Sequence, residues 1–213
     1  MRLWGLPLRG YGDSGLYTFC RWLAVPIFGG AYRCRAKGTG NLPRSGPVIV
    51  ITNHKANIDP VICGMVFDRP LRYMAKKELF GNAALRKLIV TLGAFPIDRG
   101  AGDRAALTTS LEILEQGEVL LMFPEGHRRR DDAVHEFLPG VGMIALRSGA
   151  PVVPMAMDGT QRMVREGRPG LPALRILVGP PLDLSDLTGR NSKTYQEAAR
   201  RMQAAVAELY ARL

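Results

Sequence analysis

The strongest constraint on this chain is an alternation that begins near Gly38 and continues to the last residue. Short apolar runs take turns with segments of about ten residues patterned for helices. VIVIT (48–52), LRYMA (71–75), AFPI (94–97), EVLLMF (118–123), PVVPMAM (151–157) and ALRILVG (173–179) read as strands, VIVIT and EVLLMF as buried ones. PVICGMVF (60–67), the run 82–93 stopping at Gly93, the run 103–116 stopping at Gly117, and GVGMIALRSG (140–149) read as helices. In the tail 193–213, Tyr195, Met202, Val206 and Leu209 recur at helical spacing. Strands separated by helices of this length predict an α/β fold, a largely parallel central sheet flanked by helices. No repeat or linker divides the chain. With 213 residues, 46% hydrophobic and 23% charged, it has the size and composition of a single globular domain.

In sheets of this kind, functional residues collect in the loops past the carboxyl ends of the strands. Three apolar runs end in polar chemistry: VIVIT in NHKANID, AFPI in DRG, and EVLLMF in PEGHRRR. The first contains His54, one of three histidines, with Asp59 five residues on. A five-residue step on one helix rotates a side chain by roughly 140°, so the pair would not share a helical face. A loop between strand end and helix start lets the two side chains turn back toward each other. An imidazole held by a carboxylate is the core of a general base. The competing reading makes Asp59 an N-cap before Pro60, with Asn53 and His54 as polar turn residues.

Composition removes several functions. Cys20, Cys34 and Cys63 make an odd count without a C-x-x-C pair, which argues for reduced thiols in a cytosolic setting. His54, His127 and His135 do not form H-E-x-x-H, and no metal site is expected. GVGMIA follows the charged segment HEFLP where a dinucleotide site needs a strand, and no phosphate-binding P-loop occurs. No cofactor is expected.

The net charge is +10, and residues 1–44 hold +6 of it, seven Arg or Lys against Asp13. Such a patch suits nucleic acid, a membrane surface or an anionic substrate. No recognised nucleic-acid motif is present, so nucleic acid is not expected as a partner. Only eleven uncharged residues separate Arg21 from Arg33, well short of the ~20 a membrane span needs. Phe19, Trp22, Leu23, Ile27 and Phe28, flanked by arginines, suit an amphipathic segment lying in the membrane interface. The alternative packs the same segment on the domain. The expected division is a basic, amphipathic membrane-associating segment at 1–37 and a catalytic domain at 38–213.

Four blocks carry a more specific likeness. NHKANID resembles the N-H-x-x-x-x-D block of the glycerolipid acyltransferases, the PlsC-like family that acylates lysophosphatidic acid. GAFPIDR resembles that family's second block, FPEGHRR its third, and VVPMAM its proline-containing fourth. Order and spacing match over roughly residues 34–160. Three departures stand out: Ala56 replaces a usual Ser, His127 a usual Thr, and Leu138 a usual basic residue. These changes bear on the acceptor's headgroup.

The resemblance implies transfer of a fatty acyl group from acyl-CoA or acyl carrier protein to the free hydroxyl of a lysophospholipid acceptor, lysophosphatidic acid, giving phosphatidic acid. His54 is the expected base, with Asp59 orienting it. Asn53, Arg99, Glu125, Gly126 and Arg128 are the expected substrate-binding residues. Arg99 and Arg128 suit a phosphate, which guanidinium binds bidentately. Glu125 holds the acceptor's glycerol or a block arginine, or else is a turn carboxylate pairing with Arg128. Arg129 and Arg130, followed by Asp131 and Asp132, read as surface arginines. No G-x-S-x-G elbow is present and no cysteine lies in a block, so the hydroxyl is expected to attack directly. The expected location is peripheral, on an anionic surface at the cytoplasmic face of the cell membrane. The alternatives are another lysophospholipid or lipid alcohol as acceptor and, in a different class, a non-catalytic basic module that binds membrane or nucleic acid.

Overall fold

A computed structural model of the chain describes residues 15–97, 104–165 and 167–213. In chain order the elements are α1 (Gly15–Pro26), β1 (Arg35–Lys37), β2 (Val48–Thr52), α2 (Asp59–Val66), β3 (Leu71–Lys76), α3 (Ala83–Thr91), β4 (Ala94–Ile97), α4 (Arg104–Glu115) and β5 (Val119–Met122). They continue with α5 (Gly140–Ser148), β6 (Val152–Asp158), β7 (Val164–Arg165), β8 (Arg168–Pro169), β9 (Arg175–Val178) and α6 (Ser192–Ala211). Seven strands form one sheet in the order β1-β9-β6-β2-β5-β3-β4. Only the β6–β9 pair is antiparallel. The expected parallel sheet is therefore present, and each expected strand and helix lies within a few residues of its place.

The sheet is covered on both faces, which is why VIVIT is apolar throughout instead of alternating. On one side, Phe28, Ile62, Met65 and Phe67 pack with Val48 and Val50. On the other, Ile113, Leu114, Ile144, Met202 and Val206 pack with Ile49 and Ile51. Helices α5 and α6 cross closely at Gly142, where a Cβ would lie 2.1 Å from the Tyr195 carbonyl oxygen. GVGMIA is thus a helix-packing sequence.

Helix α1 turns one face toward the domain. Tyr17, Arg21, Ala24 and Phe28, spaced four, three and four apart, form one inward stripe. Arg21 donates to the Phe67 carbonyl at 2.8 Å and to Asp68 at 3.4 Å. Phe28, expected to meet lipid, instead stacks on Tyr32 with centroids 5.4 Å apart. Residues 35–37 supply the edge strand β1, paired with β9. Among the described residues, α1 thus packs on the sheet side that holds Phe67, and β1 pairs with β9. Phe19, Trp22, Leu23 and Ile27 do face outward, Trp22 with 72% of its surface exposed. Residues 1–14 lie outside the described set.

Candidate active site

Strand β2 lies at the centre of the sheet, flanked by the parallel strands β5 and β6, with Ile51 opposite both Met122 and Pro154. The loops leaving β2 and β5 therefore emerge side by side at the same end of the sheet. In the first, the chain turns at Asn57–Ile58 into α2, and Asp59 opens that helix. The Asp59 side chain does not cap the helix. It reaches back, and its Oδ2 accepts from His54 Nδ1 at 2.8 Å and from the backbone N–H groups of Lys55 and Ala56 at 2.7 and 2.8 Å.

An oxygen that accepts two backbone N–H groups is an acceptor toward the imidazole as well. Nδ1 thus carries the ring proton and Nε2 keeps its lone pair. Asp59 is fully buried, whereas the His54 side chain keeps 12% of its surface exposed. The ring stacks on Phe123 at 4.1 Å between centroids. One imidazole face, the Nδ1 edge and the backbone are fixed, and one nitrogen remains available. That is the geometry of an oriented base.

The loop after β5 is tied to the first one, since Arg129 N–H donates to the His54 carbonyl at 2.9 Å. Gly126 adopts φ +73°, and a Cβ there would meet Leu138 Cδ1 at 2.7 Å. Glycine answers both the left-handed backbone and the overlying leucine. Glu125 is buried, does not pair with Arg128, and accepts from the His135 backbone N–H at 3.5 Å. Its Oε2 has no partner among the described residues. Burial pushes its carboxyl up from the ordinary range, while the nearby charge of Lys55 is the largest influence pulling it down.

The other expected residues are placed as follows. Asn53, expected to bind substrate, is fully buried. Its Nδ2 donates to the Met157 carbonyl at 2.8 Å, and its Oδ1 accepts from the Met157 N–H at 2.9 Å. The amide holds the loop to β6 through these two bonds. Arg99, expected to bind phosphate, lies outside the described residues. Arg128, Arg129 and Arg130 are exposed. The aspartates that follow bind elsewhere: Asp131 to His135 at 2.8 Å, and Asp132 to Gln161 at 2.8 Å and Arg162 at 3.4 Å.

Two residues near His54 had no signature in the sequence. Phe123 is the last residue of an apolar run and reads as core. Lys55 is 1% exposed, although lysine is almost never fully buried unless paired. Its adjacency to His54 was the only available signal.

A shallow, mainly apolar groove begins beside Asp59 at Pro60 and follows α2 past Val61 and Gly64 to Met65. Tyr17, Cys20 and Ala24 of α1 form its opposite wall. A Cβ on Gly64 would meet nothing within 4 Å. The cysteines do not compete as nucleophiles. Burial, and then the Asp59 charge, push the Cys63 thiol well up, and burial puts Cys34 at about 11.

The chain as a whole is similar to known acyltransferases. The Acyltransferase family profile matches residues 33–158. The 1-acyl-sn-glycerol-3-phosphate acyltransferase of Bacillus subtilis (strain 168) is 27% identical over 182 residues, 84% of this chain and 88% of that protein. The protein of the same name from Pseudomonas aeruginosa PAO1 is 26% identical over 215 residues, 98% of this chain and 81% of that one. The crystal structure of the 1-acyl-sn-glycerophosphate (LPA) acyltransferase PlsC from Thermotoga maritima superimposes with a TM-score of 0.71. It is 24% identical and covers 93% of this chain and 80% of its own.

Proposed function

The chain belongs to the acyltransferase family, and on that premise we propose that it moves a fatty acyl group from an acyl thioester to the free hydroxyl of lysophosphatidic acid, giving phosphatidic acid. The observation that carries the mechanism is the His54–Asp59 pair, 2.8 Å apart at the end of the central strand, with no partner on Nε2 among the described residues. His54 Nε2 takes the proton of the acceptor hydroxyl as its oxygen attacks the thioester carbonyl. Asp59 holds the tautomer and stabilises the imidazolium that forms. Collapse of the tetrahedral intermediate breaks the carbon–sulfur bond, and the proton on His54 passes to the departing thiolate. No covalent acyl-enzyme is required.

Arg128 and Arg99 are the proposed phosphate contacts, and Glu125 the proposed acceptor of the glycerol hydroxyl's hydrogen bond. The donor is a thioester of coenzyme A or acyl carrier protein, its acyl chain lying in the groove along α2. Each buried methylene contributes about 0.8 kcal/mol, so donor use rises with chain length until the groove ends. The outward apolar face of α1 is the proposed contact with an anionic membrane surface, peripheral and on the cytoplasmic side. No helix among the described residues is long and apolar enough to cross a membrane.

The test is turnover of the purified protein with acyl thioesters of graded length against a panel of lysolipids, read by lipid mass spectrometry. Phosphatidic acid formed preferentially from lysophosphatidic acid supports the proposal. Preferential acylation of an acceptor without a terminal phosphate overturns the assignment of substrate. Sedimentation with anionic vesicles, comparing the parent with Trp22→Ala, tests the membrane contact. Equal sedimentation of the two proteins removes α1 from that role.

A further inference from the structure

The buried Lys55 is unused by the mechanism above. Its Nζ donates to the Ala133 carbonyl, lies 3.5 Å from Asp131 Oδ1, and sits 5.3 Å from the centroid of the Tyr210 ring. These contacts come from two distant parts of the chain, the strap 131–135 and the last turns of α6. The strap in turn gives its His135 backbone N–H to Glu125. Its far side is fastened by Gln161, which donates to both Asp132 and Asp158 at 2.8 Å. A lysine placed this way has a cost, since its ammonium leaves water for a site with one carbonyl, one ring face and a half-exposed carboxylate. A neutral residue of similar length would close the same space.

We propose that Lys55 is a positioning residue for acceptor binding: its ammonium ties down the strap 131–135 and serves as the internal counter-charge that keeps Glu125 an ionised hydrogen-bond acceptor beside His54. This rests on the reading of Glu125 as an acceptor-binding group. The charged and titratable groups facing Glu125 are Lys55 and His54 from the loop after β2, and His135 from the strap. Asp131, which pairs with both Lys55 and His135, offsets part of their charge. Burial drives the Glu125 carboxyl up, and Lys55 is the largest opposing influence, ahead of the His135 backbone N–H and the two imidazoles. With Lys55 made neutral, the carboxyl rises further and loses its charge at a higher pH. A neutral carboxyl is the weaker acceptor, so affinity for the acceptor falls first on the acidic side.

Two variants separate charge from tethering. Lys55→Gln removes the charge and keeps a donor able to face the Ala133 carbonyl, while Lys55→Met removes both. Two readouts are needed. The ¹³C carboxyl signal of Glu125, assigned with Glu125→Gln and followed through pH in the intact chain, reports its ionisation without turnover. Steady-state kinetics across the same pH range report KM for the acceptor and for the donor separately.

The expected result is that both variants move the Glu125 titration to higher pH. Both should also raise the acceptor KM about tenfold or more at the acidic end, the scale of a hydrogen bond to a charged group. The donor KM should change little. The Gln variant should lose less than the Met variant at high pH, where tethering alone matters. An unmoved Glu125 titration in both variants overturns the proposal, as does a loss of the same factor at every pH and for both substrates. If the titration moves but Glu125→Gln leaves the acceptor KM intact, the counter-charge stands and the role of Glu125 toward the acceptor fails.

Discussion

The two loops that meet at His54 spend their polar groups in opposite ways. In the loop after β2, nearly every polar side chain is committed inward. Asn53 bonds the backbone of β6, Lys55 bonds the strap 131–135, and Asp59 collects the imidazole and two backbone N–H groups. In the loop after β5, His127, Arg128, Arg129 and Arg130 are exposed, and the aspartates that follow them pair elsewhere. One loop is closed and holds a base in place. The other is open and leaves charge available to a ligand. The contrast matches the two demands of acyl transfer, a base held to a fraction of an ångström and a grip on an anion that arrives from outside.

The contrast is most exposed to failure at His54. His54→Ala should cut kcat by roughly 10²–10⁴-fold, the range for a lost general base. Its thermal midpoint should change little, because the ring's one strong bond is to an Asp59 that keeps both backbone donors. A folded variant turning over at the parental rate would falsify the assignment of the base. Asp59→Asn should lower kcat by a smaller factor, since an amide oxygen can keep the contacts of Oδ2.

Asn53 tests the closed loop by stability. Asn53→Ala strands the N–H and carbonyl of Met157 in a buried strand, costing about 2–6 kcal/mol at about 1–3 per stranded group. Chemical denaturation measures it. A loss below about 1 kcal/mol would mean that the loop is held by something other than this amide.

What could be read from the sequence divides along the same line. The strand ends, the His54–Asp59 loop and the arginines of PEGHRRR are local in sequence, so apolar runs and spacing were enough to find them. Asn53 and Lys55 are committed to partners 104 and 78 residues away. Their roles are set by which strand lies beside β2, and no local pattern reports that. Strand β1 was missed for a related reason. Its three residues, RAK, are polar and short, and they become a strand only because β9 offers an edge. Helix α1 showed its apolar content in the sequence. Which of its apolar residues face the core depended on the register of α1 against Phe67 and Asp68.

The open loop makes the reverse prediction, loss of binding without loss of stability. Arg128→Ala should raise the KM for lysophosphatidic acid about tenfold or more, the scale of one charge-assisted hydrogen bond. Donor KM should be spared, and stability should stay within about 0.5 kcal/mol because the side chain is exposed. If an unphosphorylated lysolipid loses as much as the phosphorylated one, the arginine does not bind phosphate.

Arg130 should show the smallest effect, and its sign of failure is different again. It is exposed, and neither neighbouring aspartate pairs with it among the described residues. It therefore acts on an anionic acceptor or membrane only through its field. Such a field is screened over about 10 Å at 0.1 M salt and about 3 Å at 1 M. Arg130→Ala should thus slow acceptor capture about twofold at low ionic strength, where steering operates, and match the parent at high salt. Arg128 makes a direct contact in this scheme, so its defect should persist in salt. Measuring kcat/KM for both variants along a salt series distinguishes contact from field. If the Arg130 defect survives high salt undiminished, the loop grips its ligand with more than one arginine.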